Sequence, residues 1–172
     1  MKTKHIKLYK NILAEYQNMS TCARLHVAAL LVKDGRVLSV GYNGVCQGQD
    51  HCDDIFLHNI VGSRITYAIR RCRGDENPKV VDEETWKKNH HAWSDKNEIH
   101  AEMNCIAFAL KNKIDISDCE MILSVSPCMN CAKLIVSSGI KHVYYVTEYD
   151  RSTEGTDFLR KNNVAVDCIH DD

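Results

Sequence analysis

The sequence predicts an α/β fold, a three-layer α/β/α sandwich with a central mixed five-stranded sheet. An amphipathic segment and two short apolar runs open the chain, and helix-like and strand-like segments alternate from residue 100 onward. With 172 residues and 44% hydrophobic content, the chain is large enough for one domain with its own core. We therefore expect a single domain over 1–172, with one sheet between helical layers.

The first elements are a helix and an antiparallel hairpin. Apolar residues recur at helical spacing near the start of the chain: Ile6, Tyr9, Ile12, Leu13 and Tyr16. They predict the buried face of a helix that ends before Ser20. Residues 27–32 and 37–42 are apolar runs joined through Asp34-Gly35, and Asp-Gly between such runs is a strong turn signal. These runs are therefore expected to pair as neighbouring strands.

The second half of the chain alternates helices and strands. Residues 101–110 contain strong helix formers and no breaker, which predicts a buried helix beginning near His100. The elements expected after it are a strand over 121–125, a helix over 131–136, a strand over 142–146, a short helix over 157–161 and a strand over 164–169. Pro127 suits the turn before the helix over 131–136. These strands complete the five of the predicted sheet.

Residues 46–98 do not fit this pattern. Gly, His, Arg, Asp and Asn are frequent there and the apolar period is poor, so we interpret the segment as a long insertion. The regular element expected in it is a helix over 60–71. A loop of this length is unusual in a compact domain unless it is functional or something organises it.

Charge and composition argue against several classes of protein. Lys and Arg number 22 against 23 Asp and Glu, and this balance disfavours a surface that coats nucleic acid. No segment approaches transmembrane length and the N-terminus does not resemble a signal peptide, so a cytoplasmic location is expected. Nine cysteines at irregular spacing, in a reducing compartment, fit metal ligands and small buried residues better than a disulfide scaffold.

Two short motifs indicate the chemistry. His100-Ala101-Glu102 is followed by a Pro-Cys-x-x-Cys motif whose cysteines are Cys128 and Cys131. His100, Cys128 and Cys131 would supply three zinc ligands and leave a fourth position open for water, as catalytic zinc requires. Glu102 is then placed to carry protons between that water and a substrate nitrogen. This order of motifs is the signature of zinc-dependent nucleobase deaminases.

Each motif alone has a simpler interpretation. A Cys-x-x-Cys pair also occurs as a redox pair, as part of a structural zinc site or as two buried thiols. His100 alone would be a hydrogen-bonded core residue, and Glu102 alone an acid stabilised at a helix N-terminus. Two other classes therefore stay open: a non-catalytic zinc-binding module, which has no use for Glu102, and a thiol oxidoreductase, which does not explain His100.

Four segments resemble one enzyme family. His-Ala-Glu-Met-Asn at 100–104, Pro-Cys-Met-Asn-Cys-Ala-Lys at 127–133, Gly-Tyr-Asn-Gly at 41–44 and Ser-Ser-Gly-Ile-Lys at 137–141 are similar to deoxycytidylate (dCMP) deaminases of the cytidine deaminase-like superfamily. Residues 93–99 resemble the bacteriophage type in particular. The resemblance implies zinc-dependent hydrolysis of dCMP to dUMP and ammonia, feeding dTMP synthesis, in the host cytoplasm if the chain is viral. It also implies a homohexamer activated by dCTP and inhibited by dTTP, with Mg²⁺ accompanying a triphosphate effector.

The resemblance also assigns residues to the nucleotide. It implies substrate contacts from Ser20, Arg24, Asn43, Ala101 and Tyr149, with Arg24 suited to a bidentate phosphate contact. The residues alone are equally consistent with a turn asparagine at 43, a surface arginine at 24 and a strand-end tyrosine at 149. Free cytidine, another cytosine nucleotide, the riboflavin-pathway pyrimidine and tRNA adenosine stay open as substrates, although the charge balance argues against tRNA.

A second zinc site is implied in the same way. Its ligands would be the residues that stand where phage-type enzymes bind an additional zinc: Cys22, Cys52, His90 and Glu98. Such a metal would fasten the insertion, about 46–98, to the core, because a poorly apolar segment cannot bury enough surface to order itself. The residues alone favour two buried cysteines and a solvated His90-His91 pair, and His91 or His51 is an alternative ligand to His90.

Two further residues are implied in regulation. Phe108 and Lys111 lie on the predicted catalytic helix, where related enzymes place subunit-interface and effector contacts, although the residues alone suit ordinary core and surface positions. The chain also departs from the family pattern at residues 27–29 and at 45–46. These differences lie near the nucleotide and the regulatory site, so they bear on the response to dCTP and dTTP more than on the deamination chemistry.

Overall fold

The computed structural model describes residues 3–61, 64–150 and 152–169. Its helices are α1 Thr3–Gln17, α2 Cys52–Ile55, α3 Glu83–Asn97, α4 Ala101–Lys111, α5 Met129–Ser137 and α6 Glu154–Lys161. Its strands are β1 Ala28–Lys33, β2 Arg36–Tyr42, β3 Gly44–Val45, β4 Phe56–Val61, β5 Arg64–Ile69, β6 Lys79–Val81, β7 Glu98–Ile99, β8 Glu120–Val125, β9 His142–Thr147 and β10 Ala165–Cys168. Over these ranges, none of the helices combines the length and the apolar character needed to cross a membrane.

The chain divides into two compact units, which we call the core unit and the insert unit. The core unit is built from Met1–Ser20, Val27–Tyr42 and His100–Asp172. The insert unit is built from Thr21–His26 and Asn43–Ile99, so it includes a short segment that lies outside the insertion expected from the sequence.

A mixed five-stranded sheet forms the centre of the core unit, in the order β10-β9-β8-β1-β2. β1 pairs antiparallel with both β2 and β8, whereas β8, β9 and β10 run parallel to one another. The hairpin between β1 and β2 turns at Asp34 and Gly35, which both have positive φ, and a glycine adopts this conformation without strain. The predicted hairpin and sheet are confirmed.

Helices cover both faces of this sheet. Side chains of β1 point alternately to the two faces, so its buried apolar residues, 28–32, serve two cores. α1 covers one face, where the buried cluster is Tyr9, Leu13, Ala28, Leu30, Val32, Ile122, Tyr144 and Ile169. α4, α5 and α6 cover the other, where the larger buried side chains are Leu31, Ile106, Met121, Leu123, Ile135, Ile140, Val143 and Leu159. The three-layer α/β/α prediction is confirmed.

The insert unit contains a three-stranded antiparallel sheet, β4-β5-β6, and α3 packs against it. Its buried cluster is Cys22, Cys52, Ile55, Phe56 and Trp86. α3 begins after Asp82, whose carboxylate accepts the backbone N–H of Thr85 at 2.7 Å. Glu83 and Glu84 in the first turn of α3 add favourable charge at the positive end of the helix dipole.

The helix predicted over 60–71 is wrong. Residues 60–61 end β4 and residues 64–69 form β5, and these strands pair antiparallel, with Ile60 opposite Ile65 and Phe56 opposite Ile69. Residues 62–63 of the predicted helix lie outside the described residues. Four of the six residues of β5 are β-branched or aromatic, and such residues favour a pleated, half-buried strand over a helix. The apolar residues of this stretch therefore belong to a strand pair that packs on α3 and not to a helix.

Candidate active site

His100, Cys128 and Cys131 meet at the N-termini of α4 and α5. His100 is the N-cap of α4 and Cys128 is the N-cap of α5, and the backbone is extended at both residues. The Nδ1 atom of His100 lies 3.5 Å from the Sγ of Cys128 and 3.4 Å from the Sγ of Cys131. The structure therefore brings together the three residues that the two motifs assign to zinc.

These distances fit a zinc ion held between the three side chains. Zn–S and Zn–N bonds of about 2.3 and 2.0 Å at a tetrahedral angle place sulfur and nitrogen about 3.5 Å apart. His100 and Cys128 are partly exposed and Cys131 is buried, so the cluster can be approached from one side. A hydrogen bond from Cys131 lowers the pKa of Cys128 to about 4 and raises the pKa of Cys131, which leaves a thiolate available for a metal near neutral pH.

Glu102 adds a carboxyl group beside this cluster. It lies in the first turn of α4, two residues after His100, and is 4% exposed. Burial raises the pKa of Glu102, while its own backbone N–H and the nearby His100 act in the opposite direction. The carboxyl group also interacts with the thiol of Cys131. A buried acid next to a group of candidate metal ligands is suited to accept and return protons.

Close packing of β2 against α4 fixes the first turn of α4, which carries Glu102. A Cβ atom on Gly41 would lie 2.3 Å from the carbonyl oxygen of Ala101, so no side chain fits at this position. The Nδ2 atom of Asn104 donates a hydrogen bond to the carbonyl of Tyr42 at 2.8 Å. The Gly-Tyr-Asn-Gly and His-Ala-Glu-Met-Asn motifs are therefore in direct contact, through the close backbone approach at Gly41 and the hydrogen bond from Asn104.

The turn that carries Cys128 is packed against the first turn of α6. A Cβ atom on Gly155 would lie 1.9 Å from the carbonyl oxygen of Pro127 and 3.0 Å from the carbonyl carbon of Cys128. Any larger residue at position 155 would displace α6 or this turn. Gly155 thus allows α6 to support the backbone from which the side chain of Cys128 projects.

A second Cys/His cluster lies in the insert unit. The Nε2 atom of His90 lies 3.5 Å from the Sγ of Cys22 and 3.2 Å from the Sγ of Cys52, again near the separation that tetrahedral zinc requires. All three residues are buried, and the backbone N–H of Ala23 donates to the Cys52 sulfur at 3.3 Å. The hydrogen bond with Cys52 lowers the pKa of Cys22 to about 3, and the same bond raises the pKa of Cys52.

Glu98 lies near the second cluster, but its carboxylate oxygens are not among the ligand atoms that lie within 4.8 Å of one another there, which belong to Cys22, Cys52 and His90. The hydroxyl of Ser94 donates to its Oε2 atom at 2.5 Å, whereas its Oε1 atom is buried with no hydrogen-bond partner among the described residues. Burial and then the charge of Cys22 raise the pKa of Glu98, so the carboxyl group lies close to that thiol. A buried oxygen without a partner beside two thiols and an imidazole is the arrangement expected where a metal supplies the missing interaction.

The structure separates His90 from the two alternative histidines. His91 is exposed on α3, with its Nδ1 atom 3.4 Å from a carboxylate oxygen of Asp95. His51 is exposed just before α2. The ring of Trp86 stacks on that of His90, with centroids 5.3 Å apart, and this stacking holds the His90 ring in the buried interior of the insert unit. Among these three histidines, His90 faces the two cysteines.

The residues assigned to the nucleotide are divided between the two units. In the core unit, Ser20 is buried after α1, Ala101 is fully buried at the start of α4, and Tyr149 is half-buried after β9. In the insert unit, Asn43 is buried with its amide nitrogen bonded to a backbone carbonyl 2.9 Å away. Arg24 is half-buried in the same unit.

Phe108 and Lys111 lie on the exposed side of α4. Phe108 is 53% exposed and Leu110 beside it is 62% exposed, while Lys111 is exposed in the last turn. Phe108 is therefore not a core residue of this chain.

Three residues that support the two clusters are not indicated by the motifs. Ser94 orients Glu98 from one helical turn earlier, and a spacing of four residues on a helix is the signal that would have found it. Ser126 lies directly before the Pro-Cys-x-x-Cys motif and is buried. Gly155 has no sequence signal, because its role depends on a tertiary contact.

The fold and the first cluster together define a class of protein, the zinc-dependent nucleobase deaminases, in which a His-x-Glu motif and a Pro-Cys-x-x-Cys motif share one site. A family model supports this class. Residues 2–147 match the model described as the cytidine and deoxycytidylate deaminase zinc-binding region. The chain belongs to this family of deaminases and is an enzyme.

Within the family, the chain is similar to bacteriophage proteins. It is 35% identical over 153 residues to the deoxycytidylate deaminases of Enterobacteria phages T2 and T4, covering 83% of this chain and 80% and 78% of the phage proteins. The crystal structure of dCMP deaminase from the cyanophage S-TIM5 in complex with dCMP and dUMP matches with a TM-score of 0.70 and 26% identity, over 98% of this chain and 99% of that chain. The resemblance to bacteriophage dCMP deaminases is confirmed.

Proposed function

We propose that this enzyme hydrolyses dCMP to dUMP and ammonia, and that the dUMP feeds dTMP synthesis in the cytoplasm. The observation that carries the proposal is the convergence of His100, Cys128 and Cys131 beside the buried carboxyl group of Glu102. The names of the phage relatives and the similar cyanophage structure with dCMP and dUMP support this choice of substrate.

The reaction replaces the amino group on C4 of cytosine with an oxygen from water. When bound by His100, Cys128 and Cys131, zinc supplies acidity, because it lowers the pKa of a water molecule from about 15.7 to about 7. Glu102 takes one proton from the attacking water and delivers it to ring N3, and then takes the remaining proton from the hydroxyl group now on C4 and delivers it to the amine that leaves. The C–O bond forms and the C–N bond breaks, so one water is consumed for each ammonia released.

We propose that five residues hold the nucleotide. Arg24, with Ser20 in the same loop, binds the phosphate, because a guanidinium presents two donors in the geometry of two phosphate oxygens. Asn43 hydrogen-bonds the sugar or the base, Ala101 lines the base site, and Tyr149 closes over the base. A phosphate contact predicts a preference for dCMP over deoxycytidine.

We propose that a second, structural zinc is bound by Cys22, Cys52, His90 and Glu98. The distances from His90 to the two sulfurs and the unpartnered Oε1 atom of Glu98 support it. Cys22, Cys52 and His90 are buried, as is the Oε1 atom of Glu98, and buried ligand atoms are typical of a closed structural site, although glutamate is less common there than cysteine or histidine. Such a zinc would fasten the insertion, about 46–98, within a single functional domain.

We propose that the enzyme is a homohexamer regulated by dCTP as activator and dTTP as inhibitor, with Mg²⁺ bound to the triphosphate. The exposed ring of Phe108 and the charge of Lys111 suit subunit-interface and effector contacts. Sedimentation with and without each triphosphate, combined with activity measurements, tests this regulation. A monomer at every concentration with unchanged activity would rule it out.

The function is tested by measuring ammonia release from dCMP, CMP, dCTP and deoxycytidine with one zinc-loaded preparation. We expect the highest kcat/KM for dCMP. Equal turnover of dCMP and deoxycytidine would contradict the phosphate contact of Arg24. No release from any of the four compounds would contradict cytosine deamination and favour a non-catalytic zinc-binding module.

A further inference from the structure

Ser126 is a buried serine that the proposed chemistry does not use. It lies between the end of β8 and the turn of Pro127 and Cys128, and it is 4% exposed. Its backbone N–H donates to the carbonyl of Thr147 at 2.8 Å, and its hydroxyl oxygen accepts the backbone N–H of Tyr149 at 2.8 Å. One residue therefore holds two points of the segment that follows β9.

The two segments joined by Ser126 follow neighbouring parallel strands. Val125 at the end of β8 is paired with Thr147 at the end of β9, so both chains leave the sheet at the same edge. Ligands of open α/β sheets bind beyond this carboxyl edge of the strands. Cys128 lies on one of the two segments and Tyr149 on the other.

We infer that Ser126 is a positioning residue for nucleotide binding, because its hydroxyl holds the backbone of Tyr149 beside the turn that carries Cys128. The inference rests on the proposed deamination of dCMP. Without the hydroxyl, the N–H of Tyr149 loses this acceptor and the segment over 147–150 loses one attachment to the turn. The Ser126 hydroxyl accepts a hydrogen bond from a backbone N–H and does not contact a proposed zinc ligand through that bond. We therefore expect its removal to change KM and to leave the zinc content unchanged.

Ser124 provides a matched control from the same stretch of chain. It is 5% exposed, and its hydroxyl oxygen accepts the backbone N–H of Ala28 at 2.9 Å. Both serines are thus buried and satisfy one backbone N–H each. The difference is that Ser124 joins β8 to β1 inside the sheet, whereas Ser126 joins two segments beyond its edge.

The test compares the wild type with Ser126→Ala and Ser124→Ala. For each protein, KM and kcat for dCMP, zinc content and Tm are measured. We expect Ser126→Ala to raise KM about five-fold, with kcat changed less than about two-fold and zinc retained, and Ser124→Ala to leave KM unchanged while lowering Tm to a similar extent. An unchanged KM in Ser126→Ala, or an equal rise in both variants, would overturn the positioning role.

A second pair of variants keeps the test decisive if Ser126→Ala does not fold. Ser126→Thr and Ser126→Val have the same shape and differ in the hydroxyl group. Threonine is expected to keep KM near that of the wild type and valine to raise it, and equal KM values would overturn the role. Absence of dCMP turnover by the zinc-loaded wild type would instead refute the proposed function itself, so the two failures are distinguishable.

Discussion

The core unit and the insert unit each bring one histidine and two cysteines together at nearly the same spacing, through Nδ1 of His100 in the first and Nε2 of His90 in the second. Nitrogen-to-sulfur distances are 3.4 and 3.5 Å in the core unit and 3.2 and 3.5 Å in the insert unit. Donor geometry therefore does not distinguish a catalytic from a structural metal site in this chain. The distinction lies in what surrounds the donors.

Access to the donors is the first difference. His100 and Cys128 are partly exposed, whereas all three donors of the insert unit are buried. Aromatic rings add to that burial, since Trp86 stacks on His90 and the ring of Phe56 approaches it edge-on at 5.1 Å. A substrate can reach the first cluster, while the second has the closed surroundings of a structural site.

The acid next to each cluster is the second difference. Glu102 follows its histidine by two residues at the start of a helix, and burial raises its pKa. Glu98 is held by Ser94 through one oxygen and turns an unpartnered oxygen inward. The first arrangement suits a carboxyl group that moves protons, and the second suits one that completes a ligand set. The following predictions test this assignment, from the largest expected effect to the smallest.

Glu102→Gln should cause the largest loss, because it removes the proton carrier and keeps the size of the side chain. We expect kcat for dCMP to fall by about 10²- to 10⁴-fold, the range for general acid–base groups, with zinc content unchanged. Ammonia release and metal analysis of the same sample measure both quantities. Cys128→Ser is the control, since it should lose the zinc of the first cluster together with the activity. Near-wild-type turnover by Glu102→Gln would remove Glu102 from the mechanism.

Arg24→Ala tests the proposed contact between Arg24 and the phosphate of dCMP. Loss of a charged hydrogen bond to phosphate costs about 1.5 to 3 kcal/mol, which corresponds to an increase in KM for dCMP of about 10- to 150-fold. Steady-state kinetics with dCMP and deoxycytidine measure it, and deoxycytidine should be unaffected. Arg71→Ala is a matched control, because Arg71 is an exposed arginine of the same unit already paired with Asp75 at 3.2 Å. An equal KM for dCMP in the two variants would exclude the phosphate contact.

The two clusters were predictable from the sequence to different degrees. The core-unit cluster was predictable because its ligands lie in two compact motifs, each at the start of a helix that the local pattern also predicts. In the insert unit, His90 lies 38 residues from Cys52 and 68 from Cys22, so no local spacing marks the ligands and only the family resemblance suggested them. The strands β4 and β5 were missed because the apolar period is poor in this stretch, although β5 is rich in β-branched and aromatic residues that favour a strand.

Cys52→Ser tests the structural role of the insert-unit cluster. We expect zinc content to fall from two ions to one per chain and residues 46–98 to be cleaved faster by protease, while the remaining zinc supports some deamination. Metal analysis, limited proteolysis and ammonia release measure the three effects. Cys72→Ser is the control, since Cys72 is an exposed cysteine of the same unit and should keep both ions. One zinc in the wild type, or full metal and protease resistance in Cys52→Ser, would show that packing alone holds the insert unit.

Ser94→Ala should have the smallest effect, because it removes only the group that orients Glu98. Groups that hold a metal ligand typically change metal affinity by about 10- to 100-fold, and we expect a decrease near the lower end at the second site. Competition with a chelator measures this affinity, and the first zinc and the kcat for dCMP should be unchanged. Thr85→Val is a matched control on α3, since it removes a hydroxyl that donates to the Asp82 carboxylate at 2.8 Å. Equal release of the second zinc by the two variants would show that Ser94 does not orient a ligand. Glu98 would then be an acid beside the cluster that takes no part in binding the metal.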